Sequence, residues 1–227
     1  MSTYILMKIL ESAPSRYDKG IRFLTCGKLD SVYDRLTAHI HQGQRVLDIG
    51  CGTGALSLRA AQRGANVKAI DINPQMLEIA RQRADIAQHS SKIDFCEMGI
   101  AELGSEESDS YAAVMSGLCL SELTTDELNY TILQSKRILK PGGLLLVADE
   151  VNPRRIVNKI LVWLIRIPLL IITYVLTQTT TRAIKGLSQK IADSGFIIHS
   201  IRVNKLKNFI EIVAQKPCRT NRQLVLQ

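Results

Sequence analysis

A short apolar stretch running into three closely spaced glycines constrains this chain more than any other feature. Val46, Leu47 and Ile49 form a strand-like run that reaches Gly50. Glycines recur at 52 and 54, and a helix-like run of Ala55, Leu56, Leu58, Ala60 and Ala61 follows. Glycine at alternate positions lets the backbone bend tightly and come close to a ligand, because no Cβ intervenes. The amides opening the next helix then face that ligand. Strand, glycine turn and helix in this order predict a turn that cradles a cofactor.

Two cofactor templates fit the turn. Gly50, Gly52 and Ala55 satisfy the dinucleotide spacing G-x-G-x-x-G/A. The same residues also read Asp48-x-Gly50-x-Gly52-x-Gly54, with a carboxylate two positions before the first glycine. A nearby buried anion opposes a pyrophosphate and tolerates a cation. S-adenosylmethionine carries a sulfonium, an ammonium and no phosphate. On these residues the chain resembles the class I S-adenosylmethionine-dependent methyltransferases, whose glycine motif is acidic-x-Gly-x-Gly-x-Gly. The resemblance covers about residues 40–216. It implies an α/β fold, a Rossmann-like, seven-stranded, mostly parallel sheet with a reversed C-terminal hairpin and helices on both faces. It also implies S-adenosylmethionine as cofactor. A hydride-transferring enzyme needs a second substrate domain, for which this chain has no room.

Alternating strand-like and helix-like segments after residue 44 agree with a parallel sheet covered on both faces. The expected strands are 45–49, 67–70, 93–96, 111–115 and 144–148, with an antiparallel pair at 196–203 and 208–213. The expected helices are 54–63, about 74–88, one beginning at Thr125-Asp126, and 184–194. Asn73 caps and Pro74 opens the second of these, with Met76, Leu77 and Ala80 as its apolar face. Leu128, Ile132, Leu133 and Ile138 form the apolar face of the third. Ser116-Gly117 is expected to break the fourth strand, and Pro141-Gly142-Gly143 to make a sharp stop before the fifth. The acidic loop Gly104–Asp109 is expected in solvent. The whole chain, 1–227, reads as one methyltransferase domain, with an N-terminal helical cap over 1–40 and an apolar lid over 151–182.

Asp71 ends the second strand, where a carboxylate can accept two hydrogen bonds from ribose hydroxyls or serve as a turn residue. The resemblance implies further cofactor contacts. Gly50, Cys51, Gly52, Thr53 and Gly54 form the turn, and Ile72 and Met76 occupy positions that sandwich adenine in relatives. Gly117 and Leu118 fall where relatives line the methionine end. After strand three the family often shows Gly-Asp-Ala with an acid for the adenine amino group. This chain reads Gly99-Ile100-Ala101-Glu102, so either backbone near Ile100 and Ala101 or an inward Glu102 is left to read the base. Arg16-Tyr17-Asp18 resembles a segment that covers the cofactor, which makes Tyr17 a candidate contact.

Methyl transfer requires donor and acceptor held in line, and a base only if the acceptor loses a proton. No catalytic residue is therefore assigned. Glu122, Asp149 and Glu150 are candidate bases, each equally a cap or ion-pair residue. No metal site is expected. The five cysteines, at 26, 51, 96, 119 and 218, lack metal or disulfide spacing, and no cleavable leader is visible, so a reduced cytoplasmic setting is expected.

Charge is uneven: 16 Lys and Arg stand against 19 Asp and Glu up to Glu150, but 13 against 2 from Val151 onward, within a net charge of +8. Ile156–Gln178 is long and apolar yet interrupted by Lys159, Arg166 and Pro168, which argues against a plain transmembrane helix. It reads as a lid over the substrate mouth with a cationic stripe suited to peripheral membrane contact. No signature for amino-group methylation of bases follows strand four, and few aromatics are present for stacking, so nucleic acid is not favoured. The layout is similar to quinone-biosynthetic enzymes, implying a small, apolar or lipid-like acceptor. Tyr4–Thr25, Ser116–Leu123 and the run at 177–181 look similar to corrinoid-protein-associated methyltransferases, implying a corrinoid protein partner instead. A non-catalytic cofactor-binding scaffold is the third reading.

Overall fold

The computed structural model describes residues 28–151, 184, 186–204 and 209–218. Helix α1 (Lys28–Thr37) precedes β1 (Arg45–Ile49), α2 (Ala55–Gln62), β2 (Asn66–Asp71), α3 (Pro74–Ile86) and β3 (Ile93–Glu97). Then come β4 (Tyr111–Gly117), α4 (Thr125–Ile138), β5 (Leu139–Glu150), α5 (Leu187–Asp193), β6 (Ile197–Val203) and β7 (Phe209–Gln215). The seven strands are ordered β3-β2-β1-β4-β5-β7-β6. β1 to β5 are parallel, whereas β7 is antiparallel to both β5 and β6. The Rossmann-like sheet with a reversed hairpin is thus present.

The strands are apolar on both faces, as a doubly covered sheet requires. Val46, Val67, Ala113 and Leu146 pack beneath α1, α2 and α3. Leu47, Ile49, Val114 and Leu145 pack on the other side with α4 and α5. The Asn73 side chain accepts from the Gln75 and Met76 amides at 3.0 and 3.3 Å, and Pro74 fills the first helical position of α3. Thr124 caps α4 reciprocally with Glu127.

Several boundaries depart from expectation. β4 is not broken at Ser116-Gly117, because these residues pair with Val147 and Ala148 of β5, and Ser116 Oγ donates to the Ile49 carbonyl at 3.1 Å. The Pro141-Gly142-Gly143 run does not stop the chain before β5. The strand starts at Leu139 and passes through it with a register shift against β4. Lys216 secures that passage, its carbonyl accepting from the Gly142 amide and its amide donating to the Gly143 carbonyl, both at 2.9 Å. The acidic loop is not wholly in solvent. Ile100–Ser105 is a 3₁₀ segment, and buried Glu106 accepts from Lys68 and the Tyr111 hydroxyl, each at 2.6 Å. Leu133 is 59% exposed, since α4 buries Leu128, Thr131, Ile132, Ser135 and Ile138. α5 begins only at Leu187, after left-handed Gly186. Tyr17 and residues 156–178 lie outside the described residues, as do most of the expected cap and lid.

Candidate functional site

In an open sheet of this order the chain turns one way from β1 and the other way from β4, leaving a crevice at the carboxyl ends of those strands. A cleft of about 440 Å³ lies there. The glycine turn forms one wall. Gly50, Gly52 and Gly54 are all left-handed, with φ of 66°, 52° and 78°, a region that costs an L-residue roughly 1–2 kcal/mol. An added Cβ at Gly50 would collide with Cys119, and one at Gly54 would press on Ala80 of α3 at 3.1 Å. At Gly52 a Cβ would meet no protein atom within 4 Å, and this glycine lines the cleft. Space is kept there for a ligand.

Long-range bonds fix the turn. Cys51 N donates to the Ile70 carbonyl at 2.9 Å. Asp71 Oδ2 accepts from Gly52 N at 2.8 Å and Oδ1 from Asn73 N at 2.9 Å. Arg83 of α3 donates to the Thr53 carbonyl and hydroxyl at 2.8 and 2.9 Å. Asp71 therefore joins the turn to the start of α3 at the cleft edge. Across the cleft, Leu118 is left-handed at φ 61° and donates from its amide to the Ala148 carbonyl at 2.8 Å. A strained non-glycine residue beside a cleft is a recurrent mark of a functional site.

Of the residues expected at the cofactor, Gly50, Gly52, Asp71, Ile72, Met76, Ile100, Ala101, Gly117 and Leu118 line one cleft. Cys51, Thr53 and Gly54 do not line it; they shape the turn from behind. Asp48 does not line it either. On the pleated strand it alternates with Leu47 and Ile49, and its Oδ2 accepts from Ser57 Oγ of α2 at 2.6 Å. Its Oδ1 is buried without a partner. Desolvation, opposed by the Ser57 hydrogen bond and reinforced by Asp71, pushes this carboxyl up to about 7. The expectation that Asp48 supplies the charge facing the ligand is thus corrected.

That charge comes from elsewhere. Asp71, Glu122 and Glu127 line the cleft, and among the described residues no Lys, Arg or His lines it. Glu127 accepts at Oε2 from both Thr124 N and Thr124 Oγ1, at 2.8 and 2.7 Å, which lowers its carboxyl below the usual range. Sequence reasoning missed Glu127, although Thr124-x-x-Glu127 is a legible capping box. It also missed Met98, which no local signal marks as a cleft residue; Cys119 and Leu123 line the cleft in the segment after β4, where the family resemblance implies the active-site mouth. Burial and surrounding carboxylates raise the Cys119 thiol well above its ordinary value, so it presents a neutral thiol.

Glu102 does not turn inward: its Oε1 accepts from the Gly99 amide at 3.0 Å, and the residue is exposed. Among the candidate bases only Glu122 reaches the cleft. Buried Asp149 accepts from the Ser121 and Glu150 amides at 3.2 and 2.7 Å, tying the loop after β4 to β5. Burial raises its carboxyl to about 6. Glu150 is also buried and does not line the cleft.

An acidic, partly apolar cleft at the switch point of a doubly wound sheet defines a Rossmann-like protein suited to a cationic nucleoside ligand. S-adenosylmethionine fits, its sulfonium and ammonium meeting carboxylates where a pyrophosphate would be repelled. Residues 46–143 match the family described as a methyltransferase domain. A demethylmenaquinone methyltransferase of Tropheryma whipplei (strain Twist) is 36% identical over 116 residues, 51% of this chain and 45% of that protein. A ubiquinone biosynthesis O-methyltransferase of Xanthomonas oryzae pv. oryzae (strain PXO99A) is 34% identical over 131 residues, 57% of this chain and 52% of that protein. The chain thus spans about half the length of the curated relatives it matches. A solved geranyl diphosphate methyltransferase in complex with S-adenosylmethionine aligns with a TM-score of 0.65 at 16% identity, over 88% of this chain and 90% of that one. At that identity the likeness concerns the fold.

Proposed function

We propose that this protein transfers the methyl group of S-adenosylmethionine to a small, apolar, ring-bearing acceptor of the quinone kind. The observation that carries the donor is the cleft itself: three carboxylates, no basic side chain among the described residues that line it, and a glycine turn with room for close backbone approach. The acceptor reading is supported by the names of the two quinone-related relatives and by the apolar residues Leu118 and Leu123 in the cleft. Within the described residues the protein's work is positioning. The turn and Asp71 hold the nucleoside, and the loop after β4, braced by Asp149, borders the place where an acceptor approaches the methyl group. Glu122 is the one candidate base placed to take a proton from such an acceptor.

No helix among the described residues is long and apolar enough to cross a membrane. Of the segments behind the corrinoid reading, only 116–123 falls within the described residues, and it serves either reading. Methyl-labelled S-adenosylmethionine incubated with the protein and a fractionated lysate tests the proposal. Label in the organic phase, dependent on the protein, is expected. Label confined to protein would replace the apolar acceptor by a protein-borne one.

A further inference from the structure

Helix α1 contributes no residue to the cleft, yet one of its side chains reaches a cleft wall from behind. Leu29, Val32, Tyr33 and Leu36 form its buried face, and Tyr33 extends to the end of β4. A Cβ built on Gly117 would stand 2.6 Å from the Tyr33 hydroxyl oxygen and 2.9 Å from Cζ of the same ring. Both lie well inside the roughly 3.5–4.0 Å of a relaxed carbon contact. Gly117 is not left-handed, unlike the three turn glycines, and it pairs with Ala148 of β5 as the last residue of its strand. Glycine is therefore demanded here by Tyr33 and not by the backbone.

The ring is not free to give way. The Arg59 guanidinium of α2 lies over it, 5.8 Å from the centroid. Arg59 is itself held by Asp30 at 2.6 Å, by Asp34 at 2.8 Å and by the Ala55 carbonyl at 3.0 Å. Leu56 Cδ1 also stands 2.9 Å from the same point, but it is the end of an aliphatic chain that can rotate away. Gly117 lines the cleft and leads directly into left-handed Leu118, which lines it as well. A displacement of the strand end thus moves two cleft residues together.

We propose that Tyr33 is a positioning residue, whose ring and hydroxyl fix the end of β4 where Gly117 and Leu118 border the cofactor. This rests on S-adenosylmethionine as the ligand. It makes the cost of a methyl group at position 117 depend on the length of the side chain at position 33.

Calorimetry with S-adenosylhomocysteine tests this on the full chain, in wild type, Tyr33→Phe and Tyr33→Leu, each with and without Gly117→Ala. Stoichiometry reports the folded fraction, and affinity reports the site. Gly117→Ala is expected to weaken binding about tenfold in wild type, about threefold beside phenylalanine and not at all beside leucine, the coupling of residues in direct contact. Tyr33→Leu alone is expected to weaken binding about threefold at unchanged stoichiometry. The phenylalanine background carries the comparison if the leucine variant does not fold. An equal Gly117→Ala penalty in every background would place the obstruction elsewhere and overturn the inference, as would no penalty in wild type, with the cofactor reading intact in both cases. Failure of S-adenosylhomocysteine to bind wild type would overturn both.

Discussion

Asp48→Asn tests the physical account of the glycine turn more directly than any cleft mutation. The Asp48 carboxyl is fully buried, has one hydrogen bond from Ser57 Oγ at 2.6 Å, and leaves Oδ1 without a partner. Its folded-state value is about 7 against 3.8 for an unperturbed aspartate. Because the folded value is raised, the group's stabilising contribution is fully present below the unfolded value, near pH 4. It is lost as pH rises to about 7, since the unfolded chain releases the proton first. At about 1.4 kcal/mol per pH unit, the whole loss is about 4 kcal/mol, of which about 2 kcal/mol falls between pH 5 and pH 7. Asparagine carries no such charge but brings an amide whose second group lacks a partner, costing about 1–3 kcal/mol at every pH. Urea unfolding of both proteins without ligand, at pH 5 and pH 8, isolates the first effect. The stability of Asp48→Asn relative to wild type is expected to rise by about 3 kcal/mol from pH 5 to pH 8. Asp149, raised to about 6 by burial, titrates in both proteins and cancels. A difference that stays flat to within about 0.5 kcal/mol would refute the assignment of Asp48 as a strained, desolvated carboxyl.

Gly52→Ala places a methyl group in cleft space and forces an L-residue to φ 52°, so S-adenosylhomocysteine affinity should fall at least about tenfold. Unchanged affinity by calorimetry would show that the ligand does not approach this backbone. At the opposite end of β4, Tyr111→Phe removes the 2.6 Å donor to buried Glu106 Oε2. Lys68 remains on Oε1, so the expected loss is about 1–3 kcal/mol in urea unfolding with ligand affinity unaltered. A change under about 0.5 kcal/mol would show that water replaces the hydroxyl without cost.

The elements that sequence placed well are those whose signals are local. β1 occupies the expected 45–49, and Asn73-Pro74 starts α3 where the cap and the fixed proline φ require it. The misplaced boundaries depend on partners far along the chain. Pro141-Gly142-Gly143 reads as a stop, yet Lys216 pairs with Gly142 and Gly143 and holds the segment in β5. The same holds for the acidic loop, where Lys68 and Tyr111, remote from one another in sequence, draw Glu106 inward. In the cleft, Asp71 and Gly52 were legible because strand end and turn announce themselves. Glu127 was not, because its arrival depends on how α4 packs against the 100–105 segment.

By itself the sequence determined the βα turn and its spacing, because left-handed glycines, strand ends and helix caps are set by neighbours a few residues apart. The family resemblance carried by that turn implied the methyl donor and the reversed-hairpin sheet. Only the tertiary structure decided which carboxylates face the ligand. Asp48, two residues before the first glycine, looked like the charge at the site, but the strand's alternation sends it to Ser57 on the far side of the turn. Its place is taken by Asp71 at the end of β2 and by Glu122 and Glu127 in the connection from β4 to β5, brought together by the order of the strands. Which way a side chain points depends on pleat and register, and register is settled only when the whole sheet packs.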